Sequence, residues 1–509
     1  MELRNVVVVD GCRTAVGKFG GALRPVSAYD LACTVMKGCL DRTGIDPAQI
    51  DEVIMGQCRQ TSDEPNIARM AALKVGIPAS ASAHTVMRQC ASAMTAVQNG
   101  AMQIMTGLSD VVLAGGTESM SNAVFYVRGA RWGVGTGNTE FVDAVTEGQF
   151  RSQPQEMFGR YNMGATAEKI AETLGITREE QDAFSFASQQ KAIAAIDAGK
   201  FKDEIVPVVV PQGRKKPPIV FDTDEFPKRD TSMEKMAKLK PCFNITTDEE
   251  GRIYNSSELT GTVTAASSSG RNDGASCMLL MTEEKAKELG LKPICRIIGM
   301  GTAGCDPRTM GLGPVYAVPK ALKNAGLTMD DIQLIELNEA FAAQSLGCIK
   351  QLHWEDKMDI INVNGGAIAL GHPVGSSGCR IHIIPVSVGA DPAGIAASVV
   401  FKIPNAVFFL PLAGRGVPCL QGWSVILKGK FQAHVSIDPV DHALIGGLPH
   451  GPVGIIVIAA VSGQPDIIGD LVRIHFCRKL MVVAVYNGRV SCLRHHTAEG
   501  VGDIRQLLG

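Results

Sequence analysis

Val86-Met87-Arg88-Gln89-Cys90-Ala91-Ser92-Ala93-Met94 sets one thiol at the head of a run of small and apolar residues that reaches Met105 without a proline. The next strong signal is Val111-Val112-Leu113-Ala114-Gly115-Gly116, an aliphatic block closed by two glycines. Together they predict a helix beginning near Cys90, followed by a buried strand. A cysteine at a helix N-terminus meets unpaired backbone N–H groups and the positive end of the macrodipole, and both favour the thiolate. Cys90 is therefore a candidate nucleophile. The alternative is a small buried hydrophobe, the role most of the 14 cysteines must fill.

Outward from this stretch, Val6 to Val9 reads as a buried strand, Tyr29 to Leu40 as a helix stopped by Gly44-Ile45, and Val53-Ile54-Met55 as a second strand. Asn66 to Val75 reads as a short helix. Strands alternating with helices predict an α/β fold with a mostly parallel sheet. From Thr117 to about Thr260, charges, glycines and Pro217-Pro218 break the pattern, although Ala165 to Leu174 and Arg178 to Ala198 still look helical. This is an insertion or loop domain. Alternation resumes with Cys295 to Met300, Tyr316 to Ala325 and Ile332 to Glu336.

At 509 residues and 45% hydrophobic content, the chain can bury a core spanning two or three domains. A net charge of -2 gives no footprint for nucleic acid or an anionic membrane. The N-terminus lacks the character of a signal peptide, and no apolar run has the length of a bilayer span, so a cytoplasmic protein is expected. The cysteines form no Cys-x-x-Cys pair, which argues for reduced thiols rather than a zinc site or a disulfide framework.

A weak internal repeat organises the chain. At a constant offset of 282 residues, Gly44 meets Gly326, Ile45 meets Leu327, Ile50 meets Ile332 and Val53 meets Ile335, which predicts two topologically similar halves. Common helix-to-strand punctuation is the alternative source of such a match. The same offset carries Cys90 to His372. His372 sits in the glycine-rich stretch Asn364-Gly365-Gly366-Ala367-Ile368-Ala369-Leu370-Gly371-His372-Pro373-Val374-Gly375-Ser376-Ser377-Gly378, which ends at a predicted helix start. If the halves are related by a pseudo-twofold, thiol and imidazole begin equivalent helices and form a nucleophile and base pair.

Asn338 and Glu339 directly follow the apolar strand Ile332 to Glu336, where ends of α/β strands face a ligand crevice. They are placed to orient a water or a carbonyl, or simply to cap a helix. Thr262 to Gly270 and Asn272-Asp273-Gly274 offer hydroxyls and amides that either bind a polar ligand or make turns.

From Met1 to about Ile381 the chain closely resembles the thiolases, acetyl-CoA C-acyltransferases. The matching segments are Arg88-Gln89-Cys90-Ala91-Ser92, Gly115-Gly116-Thr117-Glu118-Ser119-Met120, Met163-Gly164-Ala165-Thr166-Ala167-Glu168, Ser269-Gly270-Arg271-Asn272-Asp273-Gly274, Asn338-Glu339-Ala340-Phe341 and Gly371-His372-Pro373. The resemblance implies a thiolase fold, two pseudo-symmetric halves in a layered αβαβα arrangement. Residues 1–120 with about 250–280 would form the first half, 121–249 a loop domain holding coenzyme A, and 281–381 an incomplete second half. It implies Cys90 as the acylated nucleophile, activated by His372. Asn338, through a water, would join His372 in an oxyanion hole, and Met163 and Ser269 would line the coenzyme A channel. Acyl-CoA and coenzyme A are the implied partners in a ping-pong transfer, with no metal and no permanently bound cofactor, in a homodimer or homotetramer.

One family feature is missing. Thiolases carry a second catalytic cysteine in a C-terminal Cys-x-Gly-x-Gly turn, where it deprotonates acetyl-CoA, and no segment here matches it. Cys379, seven residues after His372, matches a family position with no catalytic role, and Cys419 lacks the spacing. From His382 onward the composition changes: Glu499 is the sole glutamate and Trp423 the sole tryptophan, while seven of the ten histidines lie there. Residues 382–509 are expected to be either a replaced C-terminal domain or, the favoured expectation, the product of a shifted reading frame. Two functions follow: a thiolase-type enzyme with impaired condensation, or a noncatalytic acyl-CoA-binding relative. A 3-ketoacyl synthase is disfavoured, since Asn338 stands where that group uses a second histidine.

Overall fold

The computed structural model describes residues 3–258, 260–389, 398–402, 405–411, 454–459, 480–486 and 489–492, with side chains as far as Ile383. The chain divides into two units, residues 1–416 and 417–509.

The first unit opens with β1 (Val6–Arg13), α1 (Ala28–Thr43), β2 (Glu52–Gly56), α2 (Ile67–Lys74), β3 (Ser82–Val86), α3 (Ser92–Thr106) and β4 (Val111–Ser119). Short hairpins and helices follow, among them α4 (Met163–Leu174) and α5 (Arg178–Asp197). The chain then returns through β5 (Asn272–Thr282), β6 (Cys295–Thr302), α6 (Gly313–Ala325), β7 (Leu334–Leu337), α7 (Ala342–Leu352), α8 (Ser377–Gly389), β8 (Ser398–Lys402) and β9 (Asn405–Pro411). Local chemistry sets the ends. Ser27 accepts from Asp30 N to start α1, and Gly44, at φ 66°, closes it by donating to Leu40 O.

The strands form one ten-stranded sheet in the order β7-β8-β9-β6-β1-β5-β4-β2-β3, with the two-residue strand Gly17–Lys18 beside β5. The expectation of a mostly parallel sheet is corrected. β2 pairs in parallel with β3 and β4, and β7 with β8, but β1, β5, β6 and β9 pair antiparallel with their neighbours. Three parallel strands in the first half and one parallel pair in the second are joined to antiparallel return strands that meet in the middle. The halves repeat: β2 begins at Glu52 and β7 at Leu334, while α3 begins at Ser92 and α8 at Ser377. This is the layered α/β arrangement expected of two related halves.

Alternate residues on the N-terminal strands feed two cores. Val7, Val53, Val111 and Leu113 pack with Leu31 and Val35 of α1 and Ile67 of α2. Val6, Val8, Ile54 and Val112 pack with Ala93 and Val97 of α3 and Cys379, Ile381 and Ile383 of α8. Each fully buried Val, Leu or Ile contributes about 1.5–3 kcal/mol. With both faces covered, the strands read as continuous apolar runs rather than alternating ones. The helices α3 and α8 meet at their first turns: a Cβ on Gly378 would stand 2.4 Å from Met94 N. Only glycine permits that approach.

In the second unit β10 (Gly454–Ala459) lies parallel to β11 (Leu480–Tyr486), which pairs antiparallel with β12 (Arg489–Cys492). The expectation of a replaced or frame-shifted C-terminus over residues 382–509, and the position of Cys419, lie largely outside the described residues. Among the described residues, no helix is long and apolar enough to cross a membrane.

Candidate active site

Cys90 lies in the short link between β3 and α3, half-buried. The helix begins at Ser92 with Ala91 as its N-cap, two residues later than expected. The nearest amides are already employed, because Ala91 N donates to Arg88 O and Ser92 N to Gln89 O, each at 3.0 Å. Gln89 holds φ 46°, a left-handed conformation rarely adopted by a non-glycine residue. Two groups clamp it: Ser92 Oγ donates to Gln89 O at 2.7 Å, and Cys58 Sγ donates to the same oxygen at 3.1 Å.

Facing it is His372, 4% exposed, whose Nε2 stands 3.1 Å from Cys90 Sγ. The tautomer follows from the network. Ser377 Oγ has one hydrogen, directed to Pro373 O at 2.8 Å, so it accepts from His372 Nδ1–H at 2.7 Å. That leaves a lone pair on Nε2 toward the thiol. His372 N donates to Asn272 Oδ1 at 2.8 Å, and Asn272 Nδ2 donates to Gly17 O at 2.9 Å, which fixes the histidine loop against the first half. Such a pair can pass the thiol proton to imidazole and leave a thiolate, the form that attacks carbonyl carbon.

Asn338 follows β7, and its carboxamide is buried, with neither Oδ1 nor Nδ2 paired. Buried amides normally have partners, so a group left open at a strand end is suited to a ligand or a bound water. Glu339 is different. Its carboxylate accepts from Ser188 Oγ at 2.6 Å, Asn362 Nδ2 at 2.7 Å and Ile368 N at 3.2 Å, and burial pushes its pKa up. It is a strut beneath the histidine loop, and the expectation that it orients a water or carbonyl is corrected.

Met163 opens α4 and packs, half-buried, on a cluster that includes Ala340 and Phe341. Ser269 N donates to Ala340 O at 2.9 Å. Both thus meet the Asn338–Phe341 segment. A cavity of about 250 Å³ lies alongside, bounded by Lys228, Lys235, Met236, Ala265, Ser268 and Ile368 among others. Ser268 rather than Ser269 faces it, and Ile368 belongs to the turn leading to His372. Within Thr262–Gly270, Ser268 Oγ donates to Thr264 O at 2.6 Å, as turns do, and Thr262 Oγ1 donates to Glu168 Oε2 at 3.1 Å.

Asn272-Asp273-Gly274, expected to bind a polar ligand or make a turn, instead opens the strand β5, where Asn272 supports His372; Ser377 carried no local signal of a role. Cys379 is fully buried, and burial raises its pKa beyond the usual thiol range, so it is a packing residue. The strands β8 and β9 contain no cysteine. Among the described residues, no group of three or more His, Cys, Asp or Glu is arranged to hold a metal ion.

Residues 6–284 match the family model "Thiolase, N-terminal domain", and residues 291–391 match "Thiolase, C-terminal domain", which runs ten residues past Ile381. The chain is 48% identical over 376 residues to an acetyl-CoA acetyltransferase of Chromobacterium violaceum, covering 74% of this chain and 91% of that protein. It is 48% identical over 380 residues to the acetyl-CoA acetyltransferase of Syntrophomonas wolfei, with the same coverage. Among solved structures, the Bacillus anthracis acetyl-CoA acetyltransferase superposes with TM-score 0.74 at 39% identity, over 81% of this chain and all of that one. Human mitochondrial 3-ketoacyl-CoA thiolase in complex with CoA gives 0.73 at 37%, over 81% of this chain and 100% of that one. With both thiolase domains matched in order over a common fold, the chain belongs to the thiolase family.

Proposed function

We propose that this chain transfers acyl groups between coenzyme A thioesters through an acyl-thioester on Cys90. The observation that carries the proposal is the 3.1 Å contact between Cys90 Sγ and an imidazole whose tautomer leaves Nε2 as acceptor. In thiolysis, Nε2 takes the thiol proton and the thiolate attacks the 3-keto carbon of a 3-ketoacyl-CoA. The C2–C3 bond then breaks, the acetyl-CoA carbanion is protonated and leaves, and the acyl group stays on sulfur. Coenzyme A thiol attacks that thioester, and Cys90 regains its proton. Condensation is the reverse path.

The buried, open carboxamide of Asn338 supports a part for it, through a water, beside His372 in stabilising the oxyanion. Lys228 and Lys235 at the cavity support coenzyme A as the carrier, since its phosphates are anionic, and Met163 and Ser269 would flank the channel. Since no cysteine lies between Cys379 and Cys419, proton transfer at C2 is proposed to be slow in both directions, while acylation of Cys90 by acetyl-CoA, which exchanges one thioester for another and forms no carbanion, persists. Eleven free cysteines among the described residues support a reducing, cytoplasmic setting. The strand β3 at the sheet edge, with Met87 56% and Met102 48% exposed nearby, supports a homo-oligomer that covers it.

The test is incubation of the full chain with acetyl-CoA, followed by peptide mass spectrometry. One acetyl group on Cys90, lost on adding coenzyme A, supports the proposal. Binding of coenzyme A without acylation of Cys90 favours a noncatalytic acyl-CoA-binding relative instead.

A further inference from the structure

We propose that Glu118 is a positioning residue that holds the nucleophile loop and the histidine loop in register through one buried carboxylate. The inference rests on the Cys90–His372 pair being the reactive one. Glu118 sits at the end of β4, fully buried. Its Oε1 accepts from Arg59 N at 3.0 Å, and its Oε2 accepts from Cys58 N at 3.1 Å and from Gly375 N at 2.9 Å.

These donors belong to different machinery. Cys58 is the residue whose thiol donates to Gln89 O and so helps hold the left-handed turn that presents Cys90. Gly375 is three residues beyond His372, in the loop that carries the imidazole. One oxygen therefore ties both loops to a strand of the first half. The fit allows little slack. A Cβ on Gly375 would stand 2.6 Å from Thr117 O and 2.9 Å from Gln57 Cα, and one on Gly116 would stand 2.1 Å from Gly375 O.

A buried carboxylate is costly unless it is hydrogen-bonded, and both oxygens of Glu118 accept such bonds. Burial pushes the Glu118 carboxyl up, while Arg59 and the three N–H groups pull it back. Three charge-assisted bonds from two loops are directional, which suits the carboxylate to fixing a thiol-to-imidazole distance.

The experiment follows iodoacetamide labelling of the full-length chain against pH, with each cysteine read separately by mass spectrometry. Exposed Cys242 serves as a reference thiol and buried Cys295 as a reporter of folding. Glu118→Gln replaces one acceptor oxygen with an N–H donor facing a backbone N–H. Cys90 labelling is expected to slow roughly ten-fold near neutral pH, with its profile moved to higher pH, while Cys242 and Cys295 behave as in the parent. If the glutamine variant does not fold, Cys58→Ala should slow Cys90 in the same way, and Cys58→Ser, which keeps a donor for Gln89 O, should restore it.

Unchanged Cys90 profiles in Glu118→Gln and Cys58→Ala overturn the proposal. So does a loss at Cys90 that comes only with labelling of Cys295, since the carboxylate would then be holding the fold rather than the pair. If Cys90 of the parent labels no faster than Cys242, the catalytic reading itself fails and the positioning role falls with it.

Discussion

Ser377→Ala tests the tautomer on which the Cys90–His372 pair depends. The hydroxyl donates to Pro373 O at 2.8 Å and accepts Nδ1–H at 2.7 Å, so its removal takes away the oxygen that receives the ring proton in a site where His372 is 4% exposed. A buried donor deprived of its acceptor costs about 1–3 kcal/mol. The ring can relieve that cost by moving its proton to Nε2, which then faces the thiol as a donor and can no longer accept. Either response weakens the base, and 1–3 kcal/mol on the acylation barrier corresponds to roughly a 5- to 150-fold loss of rate. The assay is single-turnover acetylation of Cys90 by acetyl-CoA, with thermal unfolding in parallel. A slower acylation with a nearly unchanged midpoint is expected. Acylation within about two-fold of the parent would refute the reasoning, because the Ser377 contact would then have no hold on the proton.

Gly378→Ala sets a methyl 2.4 Å from Met94 N at the crossing of α3 and α8; it should destabilise by about 1–3 kcal/mol and lower Cys90 labelling, measured by thermal unfolding and peptide mass spectrometry. Arg13→Ala strips the partner from Glu204 and Asp224, which Arg13 meets at 2.6 and 2.8 Å in a fully buried site; a loss of about 3–5 kcal/mol in denaturant unfolding is expected. Arg151, Arg160 and Arg128 hold the Glu147 carboxyl down at about 2, against an ordinary value of 4.5. A depressed folded-state value stabilises the protein above the unfolded-state value and loses that effect as pH falls through the folded one. The difference in melting temperature between the parent and Glu147→Gln should therefore be constant near neutrality and shrink as pH falls from 4.5 toward 2.

Elements whose reason for forming is local were legible. Tyr29 to Leu40 lies within α1 because apolar spacing and Gly44 are both in the segment. Asn66 is the N-cap of α2, as its position before an apolar run indicates. β3 gave no signal, since Ser82 to Val86 is a partly exposed edge whose side chains neither alternate nor bury. Strand direction also escaped: the apolar runs of β5 and β6 look the same whichever way they pair, so the mixed sheet was read as mostly parallel.

The site divides in the same way. The repeat offset that carries Cys90 to His372 is also the sequence separation of their 3.1 Å contact, so the two halves made that pairing legible. Glu118, Asn272 and Ser377 were not legible as supports. Glu118 reaches Gly375 across 257 residues and Asn272 reaches His372 across 100, and contacts made by folding leave no local pattern. Glu339 misled because its place after a strand suited a ligand, whereas three donors already fill its carboxylate.

The most direct measurement is the mass of the Cys90 peptide after brief exposure of the full chain to acetyl-CoA, with and without a chase of coenzyme A. A single acetyl group on Cys90 that the chase removes, and that is absent in His372→Asn, is the predicted result. Acetylation elsewhere, or on Cys90 at an equal rate in His372→Asn, would contradict the account.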